Sequence, residues 1–577
     1  MASNFGFLAK FDFLQTIASV VVSSLNPAII HNVEKYMALK KVHYLTSVEH
    51  LEGDYLEFGV FTGSSLTHSI RCSKRMEKIY PGIRDCRFFG YDSFEGFGDL
   101  EQDDKHPFYT DENFLNNCLY KIYGKDCVNF LRGFFSFAVI ELKTNNIFAA
   151  VDRYGIKPMY YCKNKNKKTT ILTSDFSVLL KSKLTKKKIN IDKVIEFMTL
   201  AREFDNKTFY KDIYKINSAS YIKIGNSIVS KKYWSPFNNK EIEIKNKNLL
   251  IEKLNKKFTE ISKLWKISEL KTSLCLSNGL DSNLINLYLK RERKKCYKFH
   301  IIQGKKRDDK DLFQFHANLK KVNNLLSKFL NHSYDPFPLA HSSCTSLFQL
   351  YHDISRKNFK FTLNGEGSDE IFGGYLRYNT QLKYLKKNSN FPNHLIKIYK
   401  NNILNLEKVL KKKINLNSVL KKKIRKINLK SKSVENKILE FDQLTWIPSL
   451  IQRHDVIGMF FGLEVRPPFL DHKLAELVNS IPGHEKFSFS SNKIILKELM
   501  NKKFSYNDDL SKVPTPGQFR DILFKVIGFK KFRTNILKSK ISKIFDIRKL
   551  STVLNNPDTD TTFLWRIYLI SKMYKHA

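Results

Sequence analysis

Among the eight cysteines of this 577-residue chain there is no CxxC pair. Cys72, Cys86, Cys118, Cys127, Cys162, Cys275, Cys296 and Cys344 stand singly, without the spacing of a zinc site or a disulfide framework. The chain therefore reads as reduced and cytoplasmic. Also missing is any uncharged apolar run of about 18 residues, which excludes a membrane-spanning helix. The opening MASNFGFLAKFDFLQTIASVVVSSL is interrupted by Lys10 and Asp12, so it reads as an amphipathic first helix rather than a signal peptide. Acid is scarce: 56 Asp and Glu stand against 99 Lys and Arg, a net charge of +43. Such an excess ordinarily points to nucleic acid. Here the lysine runs Lys186–Lys188, Lys411–Lys413 and Lys421–Lys423 are scattered and lack the interleaved aromatics of a base-stacking surface. They read as solvated faces, and nucleic acid is not an expected partner.

What is present is a chain too long for one core, with 42% hydrophobic residues to build several. Changes of pattern divide it into segments 1–117, 118–236 and 237–577, an α/β multidomain protein. In the first, GDYLEFGVFTGSS (Gly53–Ser65) is a short strand followed by a glycine turn into a helix, and FFGYDSFEGF (Phe88–Phe97) is a second strand ending in an acid. A glycine turn admits a ligand close to backbone, and an acid at the next strand tip accepts from ribose hydroxyls. With HPFYTDENF (His106–Phe114), these stretches resemble the S-adenosylmethionine-dependent O-methyltransferases of the macrocin type. The resemblance implies a partial Rossmann-like fold with Glu57, Gly59, Gly63 and Asp92 lining a cofactor site. It stops near Asn117, before the later strands, so a non-working fragment is expected.

The second segment alternates apolar and polar residues through FSFAVIEL and NIFAAVD, two strands joined by a turn at Thr144–Asn146. LRGFFSFA (Leu131–Ala138), DRYGIKPMYY (Asp152–Tyr161), SDFSVLL (Ser174–Leu180) and Tyr233–Trp234 resemble the back half of the glutaminase domain of glutamine-dependent asparagine synthetases. That implies the remnant of an αββα N-terminal-nucleophile fold. The family's nucleophile is an N-terminal cysteine whose α-amine serves as base. Here Ala2 follows Met1, and Cys118 and Cys127 are internal. No glutaminase nucleophile is assigned, and a structural remnant packed on the third segment is expected.

The third segment carries the chemistry. LCLSNGLDSN (Leu274–Asn283) is a strand, a polar turn and a helix start. Backbone N–H groups, the hydroxyls of Ser277 and Ser282, and the positive end of the helix suit an anion. Asp281 repels phosphate directly but suits a magnesium ion that bridges phosphates. The turn has no GxxxxGK; it resembles the SGGxDS loop of ATP-pyrophosphatases, with Asn278 in place of glycine and Asn283 in place of a hydroxyl residue. A weakened loop is expected, because asparagine tolerates left-handed backbone and its amide donates as a hydroxyl does.

A second glycine-rich turn, FTLNGEGSDEIFGGYLRYN (Phe361–Asn379), bears Glu366, Asp369 and Glu370. Three carboxylates so close repel one another unless a cation or proton is shared. The stretch resembles the SGEGxDExFGGY signature of asparagine synthetases, with Asn364 replacing serine. RHDVIGMFFGLEVRPPFLDHKLAELVNSIP (Arg453–Pro482) resembles that family's RxDxxxM…xExRxPFLD block, much of it structural, with a buried helix over Leu474–Ile481. The resemblance implies an adenine nucleotide alpha hydrolase-like (ATP-pyrophosphatase) synthetase domain using ATP and Mg²⁺. By it, Asp281 and Asp369 hold the metal. Leu276, Ser277, Gly279, Asp281, Ser282, Ile301, Asn364 and Gly365 bind ATP and pyrophosphate. Glu366, Lys493 and Lys512 are catalytic, Lys512 on a mobile lid. TTFLWRIYLISKMY is expected as a closing amphipathic helix, and residues near 380–440 as helices without chemistry.

These features imply activation of a carboxylate, aspartate or another small acid, as an acyl-adenylate, with displacement by ammonia that is free or comes from a partner glutaminase. A homodimer is one option for its assembly. The alternatives are an amidotransferase acting on a sugar carboxylate of a surface polysaccharide, a catalytically impaired chimera, and a methyltransferase.

Overall fold

The computed structural model describes residues 37–45, 55–58, 64–76, 88–91, 120, 123–141, 144, 146–164, 169–182, 185, 187–238, 240–265, 270–292, 295–302, 311–332, 335–387, 390–505, 518–556 and 559–573. The chain forms two compact units, Met1–Leu131 and Arg132–Ala577. In the first, strands β1 (Tyr55–Phe58) and β2 (Phe88–Tyr91) pair in parallel, with helix α1 (Ser64–Met76) between them in the chain. Among the described residues the sheet is this single parallel strand pair, with a helix between its strands in the chain. Glu57 lies in β1; Gly59, Gly63, Asp92 and the opening stretch read as a helix lie outside the described residues.

The second unit begins with two antiparallel sheets. The expected hairpin forms from β3 (Ser136–Glu141) and β4 (Asn146–Val151), and β8 (Ser220–Ile224) and β9 (Ile228–Lys232) extend it in the order 3-4-8-9. Strands β5 (Tyr160–Asn164), β6 (Thr169–Thr173) and β7 (Tyr214–Lys215) make the other sheet. Ala149, Val151, Met159, Tyr161, Ile216, Ile222 and Ile224 fill one core between them. Helices α2 (Phe176–Lys181) and α3 (Ile191–Thr199) do not close a separate module. Phe176, Leu179, Val194, Phe197 and Met198 belong to the same apolar core as Phe348, Tyr351, Trp565 and Leu569, hundreds of residues later.

The rest of the unit is built on five parallel strands in the order β12-β11-β10-β13-β14. After helix α4 (Lys247–Leu264), the chain runs β10 (Thr272–Cys275), α5 (Leu280–Arg291), β11 (Cys296–Ile302), β12 (Leu312–His316), α6 (Leu319–Leu330) and α7 (Thr345–Ser355). It continues with β13 (Phe361–Leu363), the short α8 (Ser368–Phe372), and α9 (Leu376–Lys387), α10 (Phe391–Ile398), α11 (Lys400–Val409) and α12 (Leu416–Arg425). Then come α13 (Val434–Thr445), α14 (Ile447–Phe460), β14 (Glu464–Arg466), α15 (His472–Asn479), α16 (Ile494–Phe504) and, near the end, α17 (Thr561–Met573). All three residues of β13 and the first three of β10 are buried, as central strands covered on both faces must be. The chain lays β11 and β12 on one side of β10, then crosses to lay β13 and β14 on the other. That reversal is a topological switch point, where the loops after β10 and β13 part and leave a crevice at the carboxyl ends of the strands.

Lys411, Lys412 and Lys413 are exposed, while Leu395, Ile403, Leu406, Leu416 and Leu420 face inward. The closing helix differs from the amphipathic expectation. In α17 every residue from Phe563 to Ser571 is buried. Its polar groups are satisfied inside: Trp565 Nε1 donates to the Leu339 carbonyl (2.6 Å), and Arg566 donates to the carbonyls of Ala340 (3.1 Å) and Met198 (2.9 Å).

A buried ion triad ties the antiparallel part to α13. Arg202, fully buried, lies 2.7 Å from Asp442, which also receives Arg377 and, at 2.7 Å, the Tyr378 hydroxyl. Burial alone raises a carboxyl, but the two guanidinium groups hold Asp442 below its ordinary range. Removing one partner leaves the others charged in a dry site, at a cost of about 3–5 kcal/mol. Asp442→Asn is therefore expected to lose about that much in urea unfolding at pH 7. A depressed folded value gives stability that is complete above an unfolded value of about 3.9 and disappears as pH falls through the folded one. The deficit of the variant should shrink only below pH about 4.

Candidate active site

The loop after β10 is fastened by its own side chains. Leu276 leaves the strand with its N–H donating to the Phe299 carbonyl (2.9 Å). The Ser277 N–H donates to Ser282 Oγ (2.9 Å), and the Gly279 N–H to Ser277 Oγ (3.1 Å). The Asn283 amide donates to the carbonyls of Ser277 (3.1 Å) and Gly279 (2.8 Å), serving as a hydroxyl would. Asn278 is absent from the residues with positive φ, so replacing glycine there carries no backbone strain. Gly279 caps α5 without a side-chain bond, which leaves the first helical N–H groups aimed at the loop.

The loop after β13 comes up against it. Asn364 is buried; its N–H donates to the Arg466 carbonyl (3.1 Å), and its Oδ1 accepts the Glu366 N–H (3.3 Å). At Gly365 a Cβ would stand 2.8 Å from the Cβ of Asp281, so only glycine allows this approach. The Ser368 hydroxyl donates to Asp281 Oδ1 at 2.7 Å. Asp281 and Asp369, 88 positions apart in the chain, then meet on one cation: the Lys493 ammonium bonds Asp281 Oδ1 and lies 2.7 Å from Asp369 Oδ1. Lys493 caps α16 with φ +53°, a left-handed conformation that is costly for a side-chain residue and typical of strained functional positions.

The three acids of the second loop diverge. Asp369 faces Lys493. Glu366 turns to His454 Nε2 (2.9 Å) and Arg453 Nη2 (3.3 Å). Glu370 is buried, accepts the Tyr375 hydroxyl (2.6 Å), and is pushed up to about 8 by burial and then by Asp369. At neutral pH it holds a proton, which relieves the repulsion. Burial raises Asp281, the Asp369 charge raises it further, and Lys493 offsets part of this. Although burial disfavours its charge, Lys493 is held above the ordinary lysine range by the two aspartates.

Leu276, Ser277, Gly279, Asp281, Ser282, Asn364, Gly365, Glu366, Asp369 and Lys493 thus gather at the carboxyl ends of β10 and β13. Ile301 is half-buried near the end of β11. Lys512 lies outside the described residues. Of the third motif, Asp455 pairs with Lys157 (2.6 Å), Glu464 with Arg466 (2.9 Å), and Asp471 with Arg132 (2.9 Å) while capping α15. These are structural roles, as expected. Sequence reasoning passed over His454 and Tyr351, whose only signal was that His454 adjoins Arg453.

Among the described residues no group of three or more His, Cys, Asp or Glu could hold a metal. Two carboxylates with a hydroxyl beside them are nevertheless what Mg²⁺ takes when phosphates supply its other ligands, so Asp281, Asp369 and Ser368 fit that ion.

The antiparallel sheets, the parallel sheet and its paired loops define a multidomain α/β protein with an amidotransferase module and a synthase module. Residues 254–566, more than half of the chain, match asparagine synthase, and residues 102–234 match the glutamine amidotransferase domain. The chain belongs to the asparagine synthase family. It is 25% identical over 419 residues to asparagine synthetase (glutamine-hydrolyzing) 3 of Bacillus subtilis, covering 65% of this chain and 66% of that protein. It is 24% identical over 433 residues to asparagine synthetase (glutamine-hydrolyzing) 1 of the same organism, 66% of each. It is also 24% identical over 287 residues to amidase chry2 of Gibberella zeae, 44% of this chain and 42% of that protein. The chain spans just under two thirds of the first two relatives and less than half of the third. The comparisons lend the methyltransferase resemblance no support, and the amidotransferase match starts inside that first segment.

Glu370 sets a pH dependence. A carboxyl raised from about 4.3 unfolded contributes stability that is complete below that value and is lost as pH rises through the folded one. In metal-free buffer, wild type should lose stability from pH 5 to its folded value of about 8. Glu370→Gln should flatten that slope in denaturant titrations.

Proposed function

We propose that this protein forms an amide from a carboxylate and ammonia at the expense of ATP, with aspartate as the acceptor, releasing AMP and pyrophosphate. One observation carries the reading: two acids from loops far apart in sequence converge on a single positive charge at a switch point. Such a place suits a metal-bound triphosphate. Leu276, Ile301, Asn364 and Gly365 would border the adenosine, and the Ser277–Ser282 loop with the start of α5 the phosphates. Asp281 and Asp369 would hold Mg²⁺, which when bound neutralises phosphate charge and draws electrons from the α-phosphorus. Lys493 sits where pyrophosphate would carry charge away and would stabilise its departure. Lys512, in the segment resembling the family's lid, is assigned the same task from the other side. Glu366 stands beside these groups and would take a proton from ammonia as the amide forms.

The nitrogen is free ammonia in this reading. Burial drives the thiols of Cys127, Cys275, Cys296 and Cys344 up to about 12, and that of Cys162 upward too. Held protonated, these thiols are poor nucleophiles for glutamine.

Pyrophosphate release tests both parts. With ATP, Mg²⁺ and ammonium, release should require aspartate, and Asp281→Ala should lower it about 100-fold or more. A sugar acid that replaces aspartate with equal rate would move the acceptor assignment to surface polysaccharide. No acceptor-dependent release would overturn the reading, and glutamate formed from glutamine would overturn the nitrogen source.

A further inference from the structure

His454 is almost fully buried, on α14, yet it reaches the half-exposed Glu366 of the active site. Both ring nitrogens are engaged. Nε2 lies 2.9 Å from Glu366 Oε1, while Nδ1 meets the Tyr351 hydroxyl and, at 3.3 Å, the Asn364 amide nitrogen. Arg453 Nη2 lies 3.3 Å from Glu366 Oε1 and 3.3 Å from His454 Nε2. Tyr351 is itself fully buried on α7. Burial lowers His454, with Glu366 opposing and Arg453 adding to the effect, and burial raises the Tyr351 phenol. Both rings are therefore neutral.

The donor types then fix the tautomer. The Glu366 carboxylate can only accept, so Nε2, 2.9 Å from it, carries the hydrogen and donates; Arg453 Nη2, also a donor, shares the same Oε1 and only neighbours Nε2. Nδ1 then carries the lone pair, which faces the Tyr351 hydroxyl and, at 3.3 Å, the Asn364 amide nitrogen. The opposite tautomer would set a lone pair against a carboxylate oxygen. Two donors thus run in one direction, from Tyr351 through His454 to Glu366, and the carboxylate is held through Oε1 from the interior.

We infer that His454, backed by Tyr351, is the positioning residue that aims Glu366 at the amide-forming step. This inference rests on the function proposed above. In that step the ammonia lone pair forms the C–N bond at the acyl carbon. The C–O bond to AMP breaks, with its electron pair leaving on the phosphate oxygen. One N–H proton passes to Glu366, whose place and orientation His454 sets, and from there to water. His454 stays neutral throughout. Activation by ATP precedes this and does not use the pair, so the two half-reactions should separate.

The experiment compares aspartate-dependent exchange of pyrophosphate into ATP without ammonium, and asparagine formation with it. The variants are His454→Gln, which keeps a donor and an acceptor, His454→Leu, which keeps neither, and Tyr351→Phe. Exchange should stay within about two-fold of wild type in all three. Amide formation should fall about 100-fold in His454→Leu, through kcat, and less in Tyr351→Phe. His454→Gln should recover most of it. If His454→Leu does not fold, His454→Asn, too short to reach Glu366, takes its place with the same expectation. Equal loss of exchange and amide formation, or no loss of either, overturns the inference. Absence of aspartate-dependent exchange in wild type overturns the proposed function and this inference with it.

Discussion

The site is held together by one ammonium group between two carboxylates. Asp281 and Asp369 end different strand–loop–helix units, and nothing local in either loop brings them together. Two carboxylates this near would repel in a dry crevice. Lys493 reverses the sign of that interaction, and its left-handed backbone at the head of α16 shows that local conformation has yielded to placement of the charge. Around it the fit is tight: at Gly374 a Cβ would overlap both the Asp369 carboxylate and the Lys493 side chain. Helix α16 and the two loops therefore meet over the carboxyl ends of the central strands β10 and β13.

Much of this was legible in residue order because the loops are local objects. Glycines, hydroxyls and acids at fixed offsets after a short apolar strand describe a strand–loop–helix turn in any setting, and the hairpin of β3 and β4 declared itself by alternation. The convergence of Asp281, Asp369 and Lys493 was accessible only through resemblance, since periodicity says nothing of which loops share a crevice. His454 shows the limit most plainly. One imidazole in a helix that is buried on nearly every side has the pattern of a core residue, and only its distance to Glu366 separates it from one.

The closing helix was misread for a related reason. TTFLWRIYLISKMY was expected to be amphipathic through its resemblance to the family's closing helix, but Arg566 and Trp565 donate to backbone carbonyls inside the core. A buried cation satisfied by carbonyl dipoles looks, in one dimension, like a surface residue. The antiparallel sheets tell the complementary story. Their motifs belong to an amidotransferase module, yet their helices share a hydrophobic interior with the synthase part, and Arg202, Lys157 and Arg132 stitch the two by ion pairs. Whatever chemistry such sheets perform elsewhere, here they are also half of the wall.

The placement of α17 has a consequence for how the molecule is made. Its tryptophan and arginine occupy a groove whose two sides, around Met198 and Ala340, are translated hundreds of codons earlier. A chain still lacking Thr561–Met573 leaves the carbonyls of Met198, Leu339 and Ala340 without the donors this helix supplies, and the apolar residues around them without its cover. Thr561–Met573 thus closes a core that was begun hundreds of residues earlier.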